Sequence, residues 1–301
     1  GINEEWLSDK SRFIWDGLAR QRLDKPYIRV NGKLRPATWG EAFVAVREAL
    51  SAPAEKIGVV AGDLIEVEQA KAALDLFRSL GVQNTDCRRA GAQYGTDGVR
   101  ERYILNGTLA GVEDADALLL IGTNPRMEAA VWNARIRKAW LWADLKVGRV
   151  GEAADLTYDH AWLGEGASAL ADIRKSDFGK VLSDAKRPMI VVGEGALCGE
   201  DGAAVLANAL DLANEIGAVT DGWAGFGVLH SAAGRVGALD VGFVPGEQGA
   251  ATADILSGQM ETVVLLGADE VDLSGIGAAK VIYVGSHGDA GASRADIILP
   301  S

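Results

Sequence analysis

Residues that commonly bind metals are scarce in this chain. Its 301 residues include two cysteines, Cys87 and Cys198, and three histidines. An iron–sulfur cluster usually takes four thiolates, so two distant cysteines argue against one. No CxxC or HxxxH spacing occurs in the sequence, which argues against a zinc site. Cysteines this few, with no pairing pattern, are typical of a reducing compartment. We therefore expect this chain to hold no metal of its own.

Basic residues are outnumbered, and long apolar runs are missing. Lysine and arginine total 30 against 42 acidic residues, which gives a net charge of −12. Binding of nucleic-acid phosphates needs a clustered basic face, so we predict no nucleic-acid partner. No apolar run approaches the roughly 20 residues that span a bilayer. The first residues also lack a signal-peptide pattern, and we predict no direct membrane insertion.

Short apolar runs alternate with amphipathic helices along most of the chain. Most of these runs end at a glycine, as at Gly62, Gly122, Gly193, Gly267 and Gly285. This pattern is typical of a parallel sheet that is covered on both faces. The sequence predicts an α/β protein with two Rossmann-like units, residues 38–175 and residues 176–301. Residues 1–37 are predicted to be the end of a small β-rich subdomain or a linker.

Local signals near the beginning of the chain are specific. The stretch YIRVNGKLRP predicts a hairpin with Asn31 and Gly32 as its two-residue turn. Thr38 and Glu41 then have the spacing of a capping box, which predicts the start of a helix. Trp39, Phe43, Val46 and Leu50 are expected on the apolar face of that helix.

The stretch IGTNPRMEAAVWNARIRKAW is the most informative candidate for a binding loop. A strand is predicted to end at Gly122, with Thr123 or Asn124 capping the following helix and Pro125 in its first turn. Free N–H groups at a helix start attract anions such as a pyrophosphate, and Arg126 adds positive charge. The pattern favours a capped helix that has a solvated basic face, and a phosphate site is the alternative.

Other polar residues near strand ends give weaker signals. A GxG stretch follows one strand, but its central Glu194 would repel a phosphate, which favours a plain turn. No GxGxxG follows a first strand and no GxxxxGK[ST] occurs, which argues against an NAD site or a P-loop. His230 is interpreted as a structural histidine. Asp269 and Glu270 either bind a ribose or base, or cap the next segment.

Several stretches, taken in order, resemble one family, the large iron–sulfur subunit of respiratory complex I (NuoG in bacteria). They include TDCRRAGAQYG, DADALLLIGTNPRMEAAVWNARIRKAW, RPMIVVGEGALCGEDGAAVLA, VLHSAAGRVGALDVGFVPG and YVGSHGDAGASRADIILP. The resemblance covers essentially the whole chain. It implies a fold of the formate dehydrogenase/DMSO reductase type, similar to molybdopterin-dependent oxidoreductases. We expect a fragment that lacks the ferredoxin-like, cluster-bearing N-terminal part and stops before the end of the family's fold.

In the molybdenum enzymes, the loops that match Gly122–Arg126 and Gly285–Gly291 wrap a pterin dinucleotide. The resemblance therefore implies pterin-loop positions, which we interpret as vestigial: Gly122, Thr123, Asn124, Arg126, His287 and Asp289. The loop from Cys87 to Gly98 matches the region of a metal-ligating Cys, Sec or Ser, but its spacing does not assign Cys87. We expect no catalytic residues, no metal ligands and no cofactor here, the iron–sulfur clusters belonging to the missing N-terminal part.

The resemblance implies a role in an electron-transfer complex that oxidises NADH and reduces a quinone. Our first hypothesis is a non-catalytic scaffold whose partners are other peripheral-arm subunits of complex I. It would lie at the cytoplasmic side of the bacterial inner membrane, or on the matrix side in mitochondria. An active molybdopterin oxidoreductase domain, with a cleft lined by the candidate loops, and a nucleotide-binding module are the alternatives.

Overall fold

The computed structural model of this chain describes residues 5–95 and 98–301. Its strands alternate with helices as the glycine-punctuated pattern predicts. In the described residues the strands are β1 (Tyr27–Val30), β2 (Lys33–Pro36), β3 (Ile57–Ala61), β4 (Asn84–Asp86), β5 (Ala117–Ile121), β6 (Lys146–Val150), β7 (Ala161–Trp162), β8 (Pro188–Gly193), β9 (Val219–Thr220), β10 (Trp223–Ala224), β11 (Phe226–Leu229), β12 (Thr262–Leu266), β13 (Lys280–Gly285) and β14 (Ile297–Pro300).

The helices fill the connections between these strands. The α-helices are α1 (Asp9–Phe13), α2 (Trp39–Ala49), α3 (Val67–Ser79), α4 (Pro125–Glu128), α5 (Ala130–Trp142), α6 (Gly166–Asp172), α7 (Asp177–Asp184), α8 (Gly202–Glu215), α9 (Ala233–Asp240), α10 (Thr252–Ile255) and α11 (Ala290–Arg294). Short 3₁₀ helices of three to six residues cover Trp15–Ala19, Ala54–Lys56, Arg89–Gly91, Arg100–Arg102, Leu109–Asp114, Ile173–Lys175 and Glu194–Leu197.

The chain divides into two compact units, each made of two separate sequence segments. Unit one contains the described residues of Gly1–Arg12 and Ala92–Ser231, and unit two contains Phe13–Gly91 and Ala232–Ser301. The predicted boundary at Ser176 does not separate them, because β8 beyond that boundary pairs in parallel with β5 before it. A contiguous division was expected because sequence patterns are read along the chain, whereas strand pairing joins distant segments.

Unit one is built on a five-stranded parallel sheet with the order β11–β8–β5–β6–β7. The chain leaves β5 towards β6 and β7 on one side and later returns to β8 and β11 on the other. The switch in strand order therefore lies at β5 and β8. In such sheets, ligands bind beyond the carboxyl ends of the strands at this point.

Unit two is built on a seven-stranded sheet with the order β2–β1–β14–β13–β12–β3–β4. The strands β14, β13, β12, β3 and β4 are parallel to one another. Successive residues of β3, Val59 and Val60, belong to two different buried clusters, as do Val264 and Leu265 of β12. Both faces of this part of the sheet are therefore covered, as continuous apolar strands require.

The hairpin of β1 and β2 has the predicted turn, in which Asn31 and Gly32 both have positive φ values of 50° and 78°. These values are typical of the hairpin turn favoured by an Asn-Gly pair. The expectation of a separate subdomain or linker over residues 1–37 is corrected, because β1 pairs with β14 in the large sheet, with Tyr27 opposite Ile298.

Helix α2 begins with the predicted capping box, in which Thr38 and Glu41 exchange side chain-to-backbone hydrogen bonds. Its predicted apolar face is partly wrong. Trp39 and Phe43 are 47% and 57% exposed, while the buried residues of the helix are Ala42 and Ala49. Val46 and Leu50 of the predicted face are partly buried and pack against the core, as expected. The two aromatic rings instead pack on each other with centroids 5.5 Å apart.

Candidate functional site

The loop after β5 forms one wall of the switch point in unit one. Thr123 is buried, and its hydroxyl donates a hydrogen bond to the carboxylate of Glu128 in the following short helix. Asn124 precedes that helix as its N-cap residue but makes no side-chain capping bond, and Pro125 begins the helix as predicted. The helix ends after four residues at Ala129, whose φ and ψ of −145° and 62° are not helical.

The charged side chains around this loop have hydrogen-bond or ion-pair partners within the protein. Arg149 is 4% exposed, and its Nε donates to the main-chain oxygen of Thr123 at 3.0 Å. Burial lowers the pKa of Arg149, and nearby carboxylates, Glu128 foremost, oppose that shift. Arg126 forms an exposed ion pair with Asp155 at 2.7 Å. Arg126 thus lies near the loop, as predicted, but its guanidinium is paired with the carboxylate of Asp155.

The loops after β5 and β8 contact each other and close the switch point. Gly122 has a φ of 60°, and a Cβ atom on it would lie 2.4 Å from the Cβ of Ala196. A Cβ atom on Gly193 would lie 2.5 Å from the main-chain oxygen of Gly122. These glycines therefore permit close backbone packing between the two loops. A cavity of about 210 Å³ remains beside them, with Ile121, Val150 and Ala196 in its lining.

Glu194, the first residue after β8, is a buried carboxylate with 3% exposure. It accepts hydrogen bonds from the hydroxyls of Tyr94 at 2.8 Å and Ser231 at 3.0 Å. Nδ1 of His230 lies 3.5 Å from its Oε1. Burial by itself raises the pKa of Glu194, but the contacts with His230, Tyr94 and Ser231 outweigh it and lower the pKa to about 2. Glu194 is therefore an ionised, hydrogen-bonded side chain in the interior. The plain turn that we predicted does not describe this role.

His230 lies at the end of β11 and supports this cluster. Its Nε2 contacts the main-chain oxygen of Tyr103, which can only accept, so this nitrogen carries the proton of the bond. Nδ1 lies 3.5 Å from Oε1 of Glu194 and makes no hydrogen bond with any of the described residues. The interpretation of His230 as a structural histidine agrees with these contacts.

The second candidate loop, after β13, belongs to unit two. Asp289 caps helix α11 by accepting the N–H of Ala290 at 2.9 Å. His287 contacts the hydroxyl of Ser286 at 2.9 Å, and its backbone forms a bridge with Arg22. His287 and Asp289 therefore share one loop, whereas Gly122, Thr123, Asn124 and Arg126 form the other loop, in unit one.

Asp269 and Glu270 follow β12 in unit two and have internal partners. Asp269 accepts the hydroxyl of Tyr283 at 2.6 Å and the N–H of Gly291 at 2.8 Å. Glu270 pairs with the guanidinium of Arg235, which also binds Asp63. Of the two alternatives for the acidic pair, the capping of neighbouring segments is the one that agrees with these bonds.

Cys87 has the environment of a structural thiol. Cys87 is buried in an apolar cluster of unit two, and burial raises the pKa of its thiol. Its sulfur lies 3.9 Å from the main-chain oxygen of Arg235. The candidate ligand loop from Cys87 to Gly98 includes residues 96 and 97, which lie outside the described residues. Within the described ranges, no group of three or more histidine, cysteine or acidic side chains has the geometry of a metal site.

A family model of molybdopterin oxidoreductases matches residues 22–301. The chain belongs to the molybdopterin oxidoreductase family.

Curated relatives of this family member are subunits of NADH-ubiquinone and NADH-quinone oxidoreductases. It is 43% identical over 99% of its length to the mitochondrial NADH-ubiquinone oxidoreductase 78 kDa subunit of Neurospora crassa. Identity is 42% to the protein of the same name in Candida albicans and 42% to an NADH-quinone oxidoreductase subunit of Rickettsia felis. The chain spans 41%, 41% and 44% of these three relatives, so it matches less than half of each.

Two solved structures share the α/β fold with its parallel sheets. The formyltransferase/hydrolase complex of Methylorubrum extorquens aligns with a TM-score of 0.65 and 19% identity over 91% of this chain and 86% of that one. Acetylene hydratase of Pelobacter acetylenicus aligns with a TM-score of 0.67 and 11% identity over 96% of this chain and 56% of that one. The mixed α/β part of our fold prediction is confirmed.

The switch point of this molybdopterin oxidoreductase family member does not fit a pterin dinucleotide. The cavity of about 210 Å³ is smaller than the roughly 300–1,000 Å³ of ordinary small-molecule sites. Ala196 packs against Gly122 in the crevice, and the loops after β5 and β8 each hold a carboxylate, Glu128 and Glu194. Neither carboxylate lines the cavity, so its small volume is the observation that argues against a dinucleotide there.

Sequence reasoning missed two arginines that organise the strand ends. Arg149 lies among the buried residues of a strand that begins at the exposed Lys146, and Arg235 follows a run of small residues in SAAGRVGA. A charged residue inside a buried strand pattern is a signal of an internal partner, because an unpaired buried charge is costly. That signal identifies the residue but not its partner, which depends on the tertiary structure.

Proposed function

We propose that this chain is the molybdopterin-enzyme-like part of the large iron–sulfur subunit of respiratory complex I. In this role it is a non-catalytic scaffold that supports electron transfer from NADH to quinone. The observation that carries the proposal is the identity of 42–43% over 99–100% of the chain to three curated subunits of this enzyme. Both parallel-sheet units are proposed to be Rossmann-like and of the formate dehydrogenase/DMSO reductase type.

The proposed scaffold holds no cofactor of its own. Electrons pass through iron–sulfur clusters in the part of the subunit that lies outside this sequence. Tunnelling requires metal centres at fixed spacing, and a packed α/β body can hold a cluster-bearing neighbour in place. The closed contact of Gly122 with Ala196 and the buried carboxylate of Glu194 support a structural role for the inherited pterin loop.

The proposed partners are other peripheral-arm subunits of complex I, on the cytoplasmic side of a bacterial membrane or the matrix side in mitochondria. Trp6, Trp15 and Trp142 are 73%, 71% and 73% exposed, and exposed aromatic residues are enriched at protein interfaces. Among the helices of the described residues, none has the length and apolar character needed to cross a membrane. Attachment through neighbouring subunits accords with both observations.

Two measurements on the purified chain test the proposal. Elemental analysis for molybdenum and a fluorescence assay for released pterin are expected to give no stoichiometric signal. Mixing with the isolated cluster-bearing subunits of the peripheral arm is expected to give co-elution on size exclusion. One molybdenum per chain would refute the scaffold role, whereas failure to co-elute in the absence of molybdenum would refute the assignment to complex I.

A further inference from the structure

The carboxylate of Glu194 is held by groups that come from distant parts of unit one. Tyr94 lies 100 positions before it, and Ser231 lies 37 positions after it. The main-chain N–H of Ser231 also points to Oε2 at 3.5 Å, and His230 is next to Ser231. Among the described residues, two hydroxyls and one main-chain N–H therefore point to a single carboxylate that is 3% exposed, and the imidazole of His230 lies beside it.

These donors are held in position by contacts that do not involve Glu194. The ring of His230 is fixed through Nε2 by the main-chain oxygen of Tyr103. The ring of Tyr94 packs at 5.4 Å from His230 and at 6.3 Å, edge on, from Tyr103. The main chain of β11 just before His230 is paired in register with β8. An arrangement that is fixed by ring packing and strand pairing does not need the carboxylate in order to form.

We propose that Tyr94, His230 and Ser231 form a binding cage for a carboxylate, and that the protein fills this cage with its own Glu194. The cage would bind a small carboxylate anion, and in this protein the side chain of Glu194 occupies that place. It ties the end of β8 to the end of β11. The low pKa of Glu194 supports the geometry, because the cage favours the ionised form despite burial.

The ligand class follows from the atoms that a substitution removes. In Glu194→Ala the side chain loses a methylene and a carboxylate, which together correspond to acetate. The Cβ atom stays, so the donors are left around a space that acetate matches in charge and size. This inference concerns unit one alone and does not depend on the proposed role in electron transfer.

Acetate titration of Glu194→Ala at pH 7 tests the cage. A ligand that binds only the folded state raises the unfolding temperature as its concentration rises above the dissociation constant. Acetate at constant ionic strength is expected to raise the unfolding temperature of Glu194→Ala saturably by several degrees. Neutral acetamide is expected to leave it unchanged. The wild-type chain and a control, Glu215→Ala, should not respond, since Glu215 is 55% exposed and pairs with Arg174 at the surface.

An equal response of Glu194→Ala, wild type and Glu215→Ala to acetate would overturn the proposal, as would no response of Glu194→Ala. If Glu194→Ala does not fold, a double-mutant cycle of Tyr94→Phe and Glu194→Gln replaces it. The unfolding of unit one is then followed by the fluorescence of Trp132, which is 4% exposed in its core. Coupling of the two substitutions supports the cage, and additive effects overturn it.

Discussion

Arg235 is the residue whose replacement should most destabilise the strand ends of unit two. Its side chain is 3% exposed and lies between the carboxylates of Asp63 and Glu270. It also donates a hydrogen bond to the main-chain oxygen of Cys87 at 2.5 Å. In this way one guanidinium joins the carboxyl ends of β3, β4 and β12. Arg235→Met keeps much of the volume and removes all of these bonds.

The expected loss in the free energy of unfolding follows from the burial of Arg235, Asp63 and Glu270. Removing one member of a buried ion pair typically costs about 3–5 kcal/mol, because the other charge stays without compensation. Asp63 and Glu270 keep 31% and 26% of their side-chain exposure, so water compensates part of this cost. We therefore expect a loss of about 3 kcal/mol in the free energy of unfolding of unit two. That loss corresponds to roughly a hundredfold change in the opening equilibrium.

Native-state hydrogen exchange measures this loss in unit two directly. Amides of β3 and β12 are expected to exchange about a hundredfold faster in Arg235→Met, since their protection reports the opening of the sheet. Adding Asp63→Asn and Glu270→Gln to this variant should restore part of the protection, because no uncompensated charge is left. Lys71→Met is the control, because its pair with Asp75 is 55% and 63% exposed and worth little. A change below threefold in Arg235→Met would refute the reasoning.

Three further variants test other parts of the structure by urea unfolding. In wild type the ionised Glu194 stabilises the fold above its unfolded pKa, and this contribution is lost as pH falls from about 4.5 towards the folded pKa of about 2. Glu194→Gln should lose about 3 kcal/mol at pH 7 and show less pH dependence in that window. Gly122→Ala should lose about 3 kcal/mol, because its φ is 60° and its new Cβ would lie 2.4 Å from that of Ala196. Thr38→Ala removes the capping bond to Glu41 and should cost about 1 kcal/mol.

Each of these variants has a result that would contradict its reasoning. Gly195→Ala is the matched control for Gly122→Ala, because its new Cβ would meet no atom within 4 Å. Equal losses in both alanine variants would show that loop contact is not the cause. If Glu194→Gln kept the wild-type pH dependence of the free energy of unfolding at acid pH, this carboxylate would not titrate far below its ordinary pKa. Recovery of stability in Thr38→Ser would separate the capping bond from the loss of a methyl group, and its absence would contradict the capping explanation.

Local features of the fold were predictable because a few adjacent residues determine them. The Asn31-Gly32 turn, the Thr38–Glu41 capping box and the start of a helix at Pro125 all depend on backbone angles and hydrogen bonds within four positions. The apolar runs that end at glycines likewise gave the strands β3, β5, β8, β12 and β13. The short strands β4 and β11 were missed, because their polar or glycine-rich sequences carry no strand period.

The sequence by itself determined the alternation of strands and helices, the family and the positions of the candidate loops. Each of these follows from local periodicity or from residues matched in order. Only the tertiary structure decided which segments share a unit, and that the carboxylate of Glu194 and the guanidinium of Arg235 are bound from within. The reason is physical: strand pairing and buried charge compensation join residues that are far apart in the sequence, up to 271 positions for Tyr27 and Ile298 in the pairing of β1 with β14. No pattern within a short window of sequence specifies such partners.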